Sequence, residues 1–234
     1  MTYSTRKAVA IALSAALLGH GGPAAAQSCR LALTLALDAS ASVDAEEHAL
    51  QSMGLASALD DSDVRHAILS LGGIWLSAFE WSGRNQQIVH VDWTFLDNHD
   101  AIDAVSARFA EVPRQHFEFP TAMGFALGFA SVQMRNAPQT CARRVIDVSG
   151  DGVNNEGFPP RAAYREFDFD GVTINGLVIK SAEAGAEDYY RAEVLRGPDA
   201  FLEVAENYGD YARAMKRKLL REIRGDQVSD LRAR

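Results

Sequence analysis

Cysteine is almost missing from this chain: two residues, Cys29 and Cys141, in 234. That excludes a small fold held together by disulfides and a zinc centre built of thiolates. Positive charge is in deficit, with 23 Lys and Arg against 31 Asp and Glu and a formal net charge of −8. Such a balance argues against a nucleic-acid backbone as the main partner. No apolar run approaches the roughly 20 residues that a membrane span needs. Familiar catalytic signatures are absent as well. The chain has no Gly-x-Ser-x-Gly elbow, no Gly-x-x-x-x-Gly-Lys phosphate loop and no His-x-x-x-His zinc pair. His48, His66, His90, His99 and His116 therefore read as solvated or core residues. Asp168-Phe169-Asp170-Gly171 opens like an EF-hand loop, but its twelfth position is Leu177, where a bidentate Glu is required.

What is present is the composition of an ordinary globular protein, 47% hydrophobic and 23% charged. The length suits one α/β domain with a sizeable core. The first stretch is a separate matter. Arg6 and Lys7 precede an eleven-residue apolar run, Ala8 to Leu18, and Ala24-Ala25-Ala26 offers small residues at the positions signal peptidase reads. This pattern predicts a secretory signal peptide over residues 1–26, cleaved after Ala26, and a single domain over 27–234 that is periplasmic or secreted. Cleavage removes two positive charges and takes the net charge from −8 to −10.

Apolar runs of strand length then alternate with helical patterns. Leu31 to Leu37, Gly73 to Trp81, Gln87 to Phe95, Arg144 to Val148, Val172 to Ile179 and Phe201 to Ala205 read as strands. Asp44 to Asp60, Asp97 to Glu111, Thr121 to Arg135, Ala186 to Leu195 and Tyr208 to Arg224 read as helices. Ser82-Gly83-Arg84-Asn85 makes a hairpin of the second and third strands. The expected fold is a three-layer, doubly wound, mainly parallel α/β sheet with one antiparallel edge strand. Trp75, Trp81 and Trp93 fall in strand patterns and read as core. The closing helix is basic, and from Arg213 to Arg234 there are eight Lys or Arg against three acids. It reads as a solvated basic face with Met215, Leu219, Leu220 and Ile223 turned inward.

The cysteines have matching positions in this scheme. Cys29 lies nine residues before Asp38, and Cys141 ten before Asp151. If the intervening runs are neighbouring parallel strands, both sulfurs lie at one sheet edge, and an oxidising compartment favours a disulfide over two free thiols. The closed loop of about 110 residues would be worth at most roughly 4–5 kcal/mol.

One constellation carries chemistry. The first strand ends in Asp38-Ala39-Ser40-Ala41-Ser42, an Asp-x-Ser-x-Ser turn that can aim a carboxylate and two hydroxyls at one point. A later strand ends in Ser149-Gly150-Asp151-Gly152, supplying a second carboxylate, and Thr121 at the start of the third helical pattern supplies a third hydroxyl. These are hard oxygen donors, suited to Mg²⁺, Mn²⁺ or Ca²⁺. Each residue also has a plainer reading: Ser42 or Thr121 as a helix cap, Asp151 as a turn residue.

With those residues in hand, the chain resembles a von Willebrand factor type A (vWA) domain with its metal-ion-dependent adhesion site (MIDAS). Asp38, Ser40, Ser42, Thr121 and Asp151 match that family's five positions in order, and the resemblance spans nearly all of residues 27–234. Glu80-Trp81-Ser82-Gly83 and the run Ser149 to Asn155 are similar to an uncharacterised subgroup of exported bacterial members. One departure stands out: the family's third loop is usually Thr-Asp-Gly, and here Gly150 replaces the Thr. The resemblance implies a non-catalytic module that holds a divalent cation and captures a Glu or Asp of a protein partner. A metal-dependent phosphatase or hydrolase with Asp38 as nucleophile is the alternative, although the Asp-x-Asp pattern of aspartyl-phosphate enzymes is absent. A module whose metal is only structural is a further one.

Overall fold

A computed structural model of the chain describes residues 29–180 and 185–225. The leader assigned to residues 1–26 lies outside the described residues, as do the last nine residues of the chain. Leu31–Asp38 forms β1 and is buried along its whole length. A strand covered on both faces has to be central. Accordingly, β1 runs parallel to β2 (Ile74–Trp81) on one side and β4 (Arg143–Gly150) on the other. Beyond β2 lies the antiparallel edge strand β3 (Gln87–Leu96); beyond β4 lie β5 (Val172–Ile179) and β6 (Leu202–Ala205), both parallel. The order is β3-β2-β1-β4-β5-β6. The chain winds outward from β1 in one direction and then in the other, so strand order reverses between β1 and β4. In open α/β sheets the crevice at the carboxyl ends of such a strand pair is where ligands bind.

The two faces of β1 differ in bulk, which decides what covers them. Leu31, Leu33, Leu35 and Leu37 point into a core completed by α1 (Ala45–Asp60), α2 (Ser62–Ser70), α3 (His99–Ala110) and α7 (Tyr211–Arg224). Ala32 and Ala36 face the second core, shared with α4 (Met123–Arg135), α5 (Pro160–Glu166) and α6 (Ala186–Tyr189, continued by a π-turn over Tyr190–Val194). Small residues on β1 and on α4 let that helix approach the sheet closely.

All six strands and five of the helices were expected from the sequence. The structure adds α2 and α5. Both are short, and each start is marked by acids (Asp60, Asp61, Asp63) or by two prolines (Pro159, Pro160), so it looks like the end of something else. Asp44, not Ser42, caps α1: its side chain accepts from the Glu46 and Glu47 amides, and Glu47 returns a contact to the Asp44 amide, a complete capping box. Likewise α4 starts after Ala122 with no side-chain cap, so Thr121 is not its cap either. Trp81 is fully buried, whereas Trp75 and Trp93 are only partly so. The closing helix is a basic face with one exception, because Lys218 is wholly buried.

A disulfide joins Cys29 and Cys141, whose Cα atoms are 4.5 Å apart. The parallel register of β1 on β4, with Leu31 opposite Arg143, brings the two cysteines level. No helix among the described residues is long and apolar enough to cross a membrane.

Candidate metal centre

Asp38 is the last residue of β1, and Asp151 directly follows the last residue of β4, so the switch point brings two carboxylates to one crevice. Both are buried, at 0% and 2% exposure. Between them runs a continuous chain of contacts. The Ser40 amide donates to Asp38 Oδ1 at 2.8 Å, and Ser42 Oγ donates to Asp151 Oδ1 at 2.8 Å. The two serine hydroxyls lie 3.2 Å apart, and Thr121 Oγ1 donates to Ser40 Oγ at 3.3 Å. The five residues singled out in the sequence are therefore one cluster, drawn from three loops.

Local chemistry explains why the loops hold. After β1 the Ala39 amide donates to the Trp81 carbonyl and the Ala41 amide to the Phe119 carbonyl, each at 2.8 Å. Arg114 donates from Nη2 to the Ser40 carbonyl at 3.2 Å, strapping the segment between α3 and α4 over the turn. Gln51 on α1 reaches back to the Asp38 carbonyl at 3.0 Å. Thr121 is gripped by Asn155, whose side chain accepts from the Thr121 amide at 2.9 Å and whose own amide donates to the Thr121 carbonyl at 3.0 Å. Asn154 in turn accepts from the Gly124 amide in the first turn of α4 at 3.3 Å. The helix start is thus served by the Asp151 loop, which leaves the Thr121 hydroxyl to the cluster.

Gly150 in place of the family's Thr now has a physical reason. A Cβ there would lie 2.6 Å from Tyr190 Oη and 2.8 Å from Asp38 Oδ2. The buried phenol of Tyr190, brought in by α6, fills the space that a threonine side chain would need. Burial first, and then the charges of Asp38, Asp151 and Asp147, push the Tyr190 pKa well above its ordinary value. The phenol therefore stays protonated beside the carboxylates.

The donor set fits a hard divalent cation: two carboxylates and three hydroxyls, without sulfur or imidazole. No group of three or more His, Cys, Asp or Glu side chains among the described residues is arranged to hold a metal, so hydroxyls are indispensable to any such site here.

Two buried polar clusters were not anticipated from the sequence. His48 on α1 and His90 on β3, read as solvated or core residues, are core residues with a shared partner, Glu80 on β2. His48 Nε2 contacts Glu80 Oε1, and His90 Nε2 lies 3.0 Å from Oε2. Beneath α7, Lys218 Nζ meets Glu222 Oε1 at 2.6 Å and Asp147 Oδ1 at 3.0 Å, while Asn175 Nδ2 donates to Glu222 at 2.9 Å. The second cluster had a signal in the sequence. Tyr211, Ala214, Met215, Leu219 and Ile223 define the inward stripe at helical spacing, and Lys218 and Glu222 fall within it.

Comparison with solved structures places the fold. Proximal thread matrix protein 1 from mussel byssus, one of whose structures has a zinc-occupied MIDAS motif, aligns at a TM-score of 0.62 and 13% identity; the alignment covers 83% of this chain and 48% of that one. A von Willebrand factor type A protein from Catenulispora acidiphila gives 0.62 and 14%, covering 84% of this chain and 43% of that one. BatB from Bacteroides thetaiotaomicron gives 0.54 and 16%, covering 83% of this chain and 100% of that one. This chain thus spans about half the length, or less, of the first two proteins. At these identities the likeness establishes the vWA-type α/β fold. Among curated proteins no sequence matches. Residues 28–227 match the family described as protein of unknown function (DUF1194), and the chain belongs to that family.

Proposed function

We propose that this is an exported, non-catalytic vWA module that binds Mg²⁺, or Mn²⁺ or Ca²⁺, through Asp38, Ser40, Ser42, Thr121 and Asp151 and captures an acidic group of a protein partner. The observation that carries the reading is the unbroken chain of contacts from Asp38 to Asp151 at the switch point. Two buried carboxylates at one crevice match the charge and the oxygen preference of a divalent cation. A bound divalent ion would supply an exchangeable coordination position for a partner's Glu or Asp. The chain's own part is positional. Ser40 and Ser42 orient the carboxylates, Asn155 fixes Thr121, and the buried Tyr190 phenol narrows the site. Export is supported by the leader pattern over residues 1–26 and by the Cys29–Cys141 bridge, which suits an oxidising compartment.

The test is thermal unfolding in EDTA and then in Mg²⁺, Mn²⁺ or Ca²⁺, with Asp38→Ala alongside. A cation at 100 times its dissociation constant stabilises by roughly 2.7 kcal/mol, about 5–11 °C for a chain of this size. The expected result is a shift in the parent that is lost in Asp38→Ala. No shift at millimolar metal, with calorimetry also silent, would sink the metal reading. Metal-dependent hydrolysis of p-nitrophenyl phosphate that disappears in Asp38→Ala would replace the binding module with the phosphatase alternative.

A further inference from the structure

A basic cavity opens at the other end of the sheet, where the last turn of α7 crosses the amino ends of β4 and β5. Its volume is about 250 Å³, below the roughly 300–1,000 Å³ usual for drug-sized ligands, so its occupant is small. We infer that this cavity binds a small organic oxyanion, a carboxylate or a phosphate ester on a compact apolar body. Arg144 and Arg221 would hold the anion, and Phe201 would wall the apolar part.

Three guanidinium groups line the cavity, and each is already oriented. Arg143 donates to the Glu222 and Ile223 carbonyls at 2.7 and 2.8 Å, closing the C-terminal end of α7. Arg144 gives one donor to the Asp170 carbonyl. Arg221 lies against Phe201, its Cζ 3.8 Å from the ring centroid. A guanidinium has five N–H donors, so Arg144 and Arg221 keep most of theirs. Neither forms an ion pair with a carboxylate of the described residues, a state shared by most of the described arginines, so it is their place in one cavity that matters. Arginine stacked on an aromatic ring presents a fixed fork that suits carboxylate and phosphate.

The lining holds two acids, Glu222 and Asp199, against three arginines. Glu222 is engaged by Lys218 and Asn175 beneath the cavity floor, which leaves Asp199 as the other acid of the lining. Arg144 also borders a neighbouring hollow of about 120 Å³, lined by Arg135 and by Asp168. Val145, Pro198 and Phe201 supply apolar wall, hence an organic body on the anion.

The experiment is calorimetric titration of the protein with benzoate and with phenyl phosphate at fixed ionic strength. Benzamide serves as the neutral match and inorganic phosphate as the head group alone. At least one of the two organic anions should bind with a dissociation constant below about 1 mM, and the preferred one identifies the head group. Benzamide and inorganic phosphate should each bind about ten-fold or more weakly. Arg221→Gln and Arg144→Gln should each weaken the organic anion by about ten-fold or more, the scale of a lost charge-assisted contact. Arg161→Gln, remote from the cavity, should leave it unchanged, and unfolding curves check that each variant folds. Absence of binding by both organic anions at 10 mM, equal binding by benzamide, or binding unaltered in both cavity variants would overturn the assignment. None of these outcomes depends on Asp38 or on metal, so this inference and the proposed function stand or fall separately.

Discussion

Glu80 is the residue whose surroundings make the clearest prediction. Burial alone would raise its pKa, but hydrogen bonds from His48 and His90, reinforced by their charges, outweigh that and hold it below the ordinary value of 4.5. A carboxylate with a depressed folded-state pKa contributes stability that is present above its unfolded pKa and lost as pH falls through the folded one. Its share of the acid unfolding limb therefore lies below about pH 4.5. Glu80→Gln should destabilise the protein at neutral pH by about 1–3 kcal/mol, the cost of leaving buried partners poorly matched. It should also flatten the stability loss below that pH. Urea unfolding of parent and variant on both sides of pH 4.5 measures this, and parallel slopes would refute it. Asp147 is perturbed the opposite way. Burial raises it, only partly offset by Lys218, and Glu222 adds to the rise. At this scale the sequence was legible for Asp38, Ser40, Ser42, Thr121 and Asp151 because one residue order encodes their chemistry. It was mute on Glu80 with His48 and His90, because three residues from three elements meet only through the register of β2 on β3 and the placing of α1.

Among the elements, α4 joins site and core most tightly. Its first turn carries Gly124, where a Cβ would lie 2.0 Å from the Phe158 carbonyl oxygen and 2.6 Å from the Phe158 ring. The obstacle includes backbone, so a small side-chain movement cannot relieve it. Gly124→Ala should therefore cost about 1–3 kcal/mol through overpacking, although alanine is the better helix former by up to about 1 kcal/mol. The same substitution would push on the loop that holds Asn154 and Asn155. Chemical denaturation reads the loss; a gain in stability would mean that this contact has been misjudged. Strands and long helices were legible because burial on two faces or on one stripe leaves a periodic trace. The starts of α1 and α4 were read to within two residues, at Asp44 and Thr121, but the plainer reading of Ser42 and Thr121 as caps fails, because both spend their hydroxyls on the cluster. Asp44 and Asn154 serve the helix starts in their place.

For the molecule as a whole, the bridge between Cys29 and Cys141 ties the start of β1 to the start of β4, closing a separation of 112 residues. Reduction, or paired Cys→Ser replacement, should lower stability by about 2–5 kcal/mol. The melting temperature should fall by about 2–4 °C for each kcal/mol lost, which a thermal scan with and without reductant would show; an unchanged midpoint would count against the bridge. By itself, the sequence determined the α/β class, the antiparallel hairpin and the five residues that the structure brings into one cluster. Hydrophobic period and turn chemistry are local properties, and they are written locally. Only the tertiary structure decided that β1 and β4 are neighbours with strand order reversing between them. That adjacency unites Asp38 with Asp151, requires glycine at position 150 against Tyr190, and sets Lys218 over Asp147. The arginine-lined cavity belongs to the same category. Its walls come from β4, β5, the segment before β6 and the end of α7, which meet because the closing helix packs back across the sheet to bury its apolar stripe.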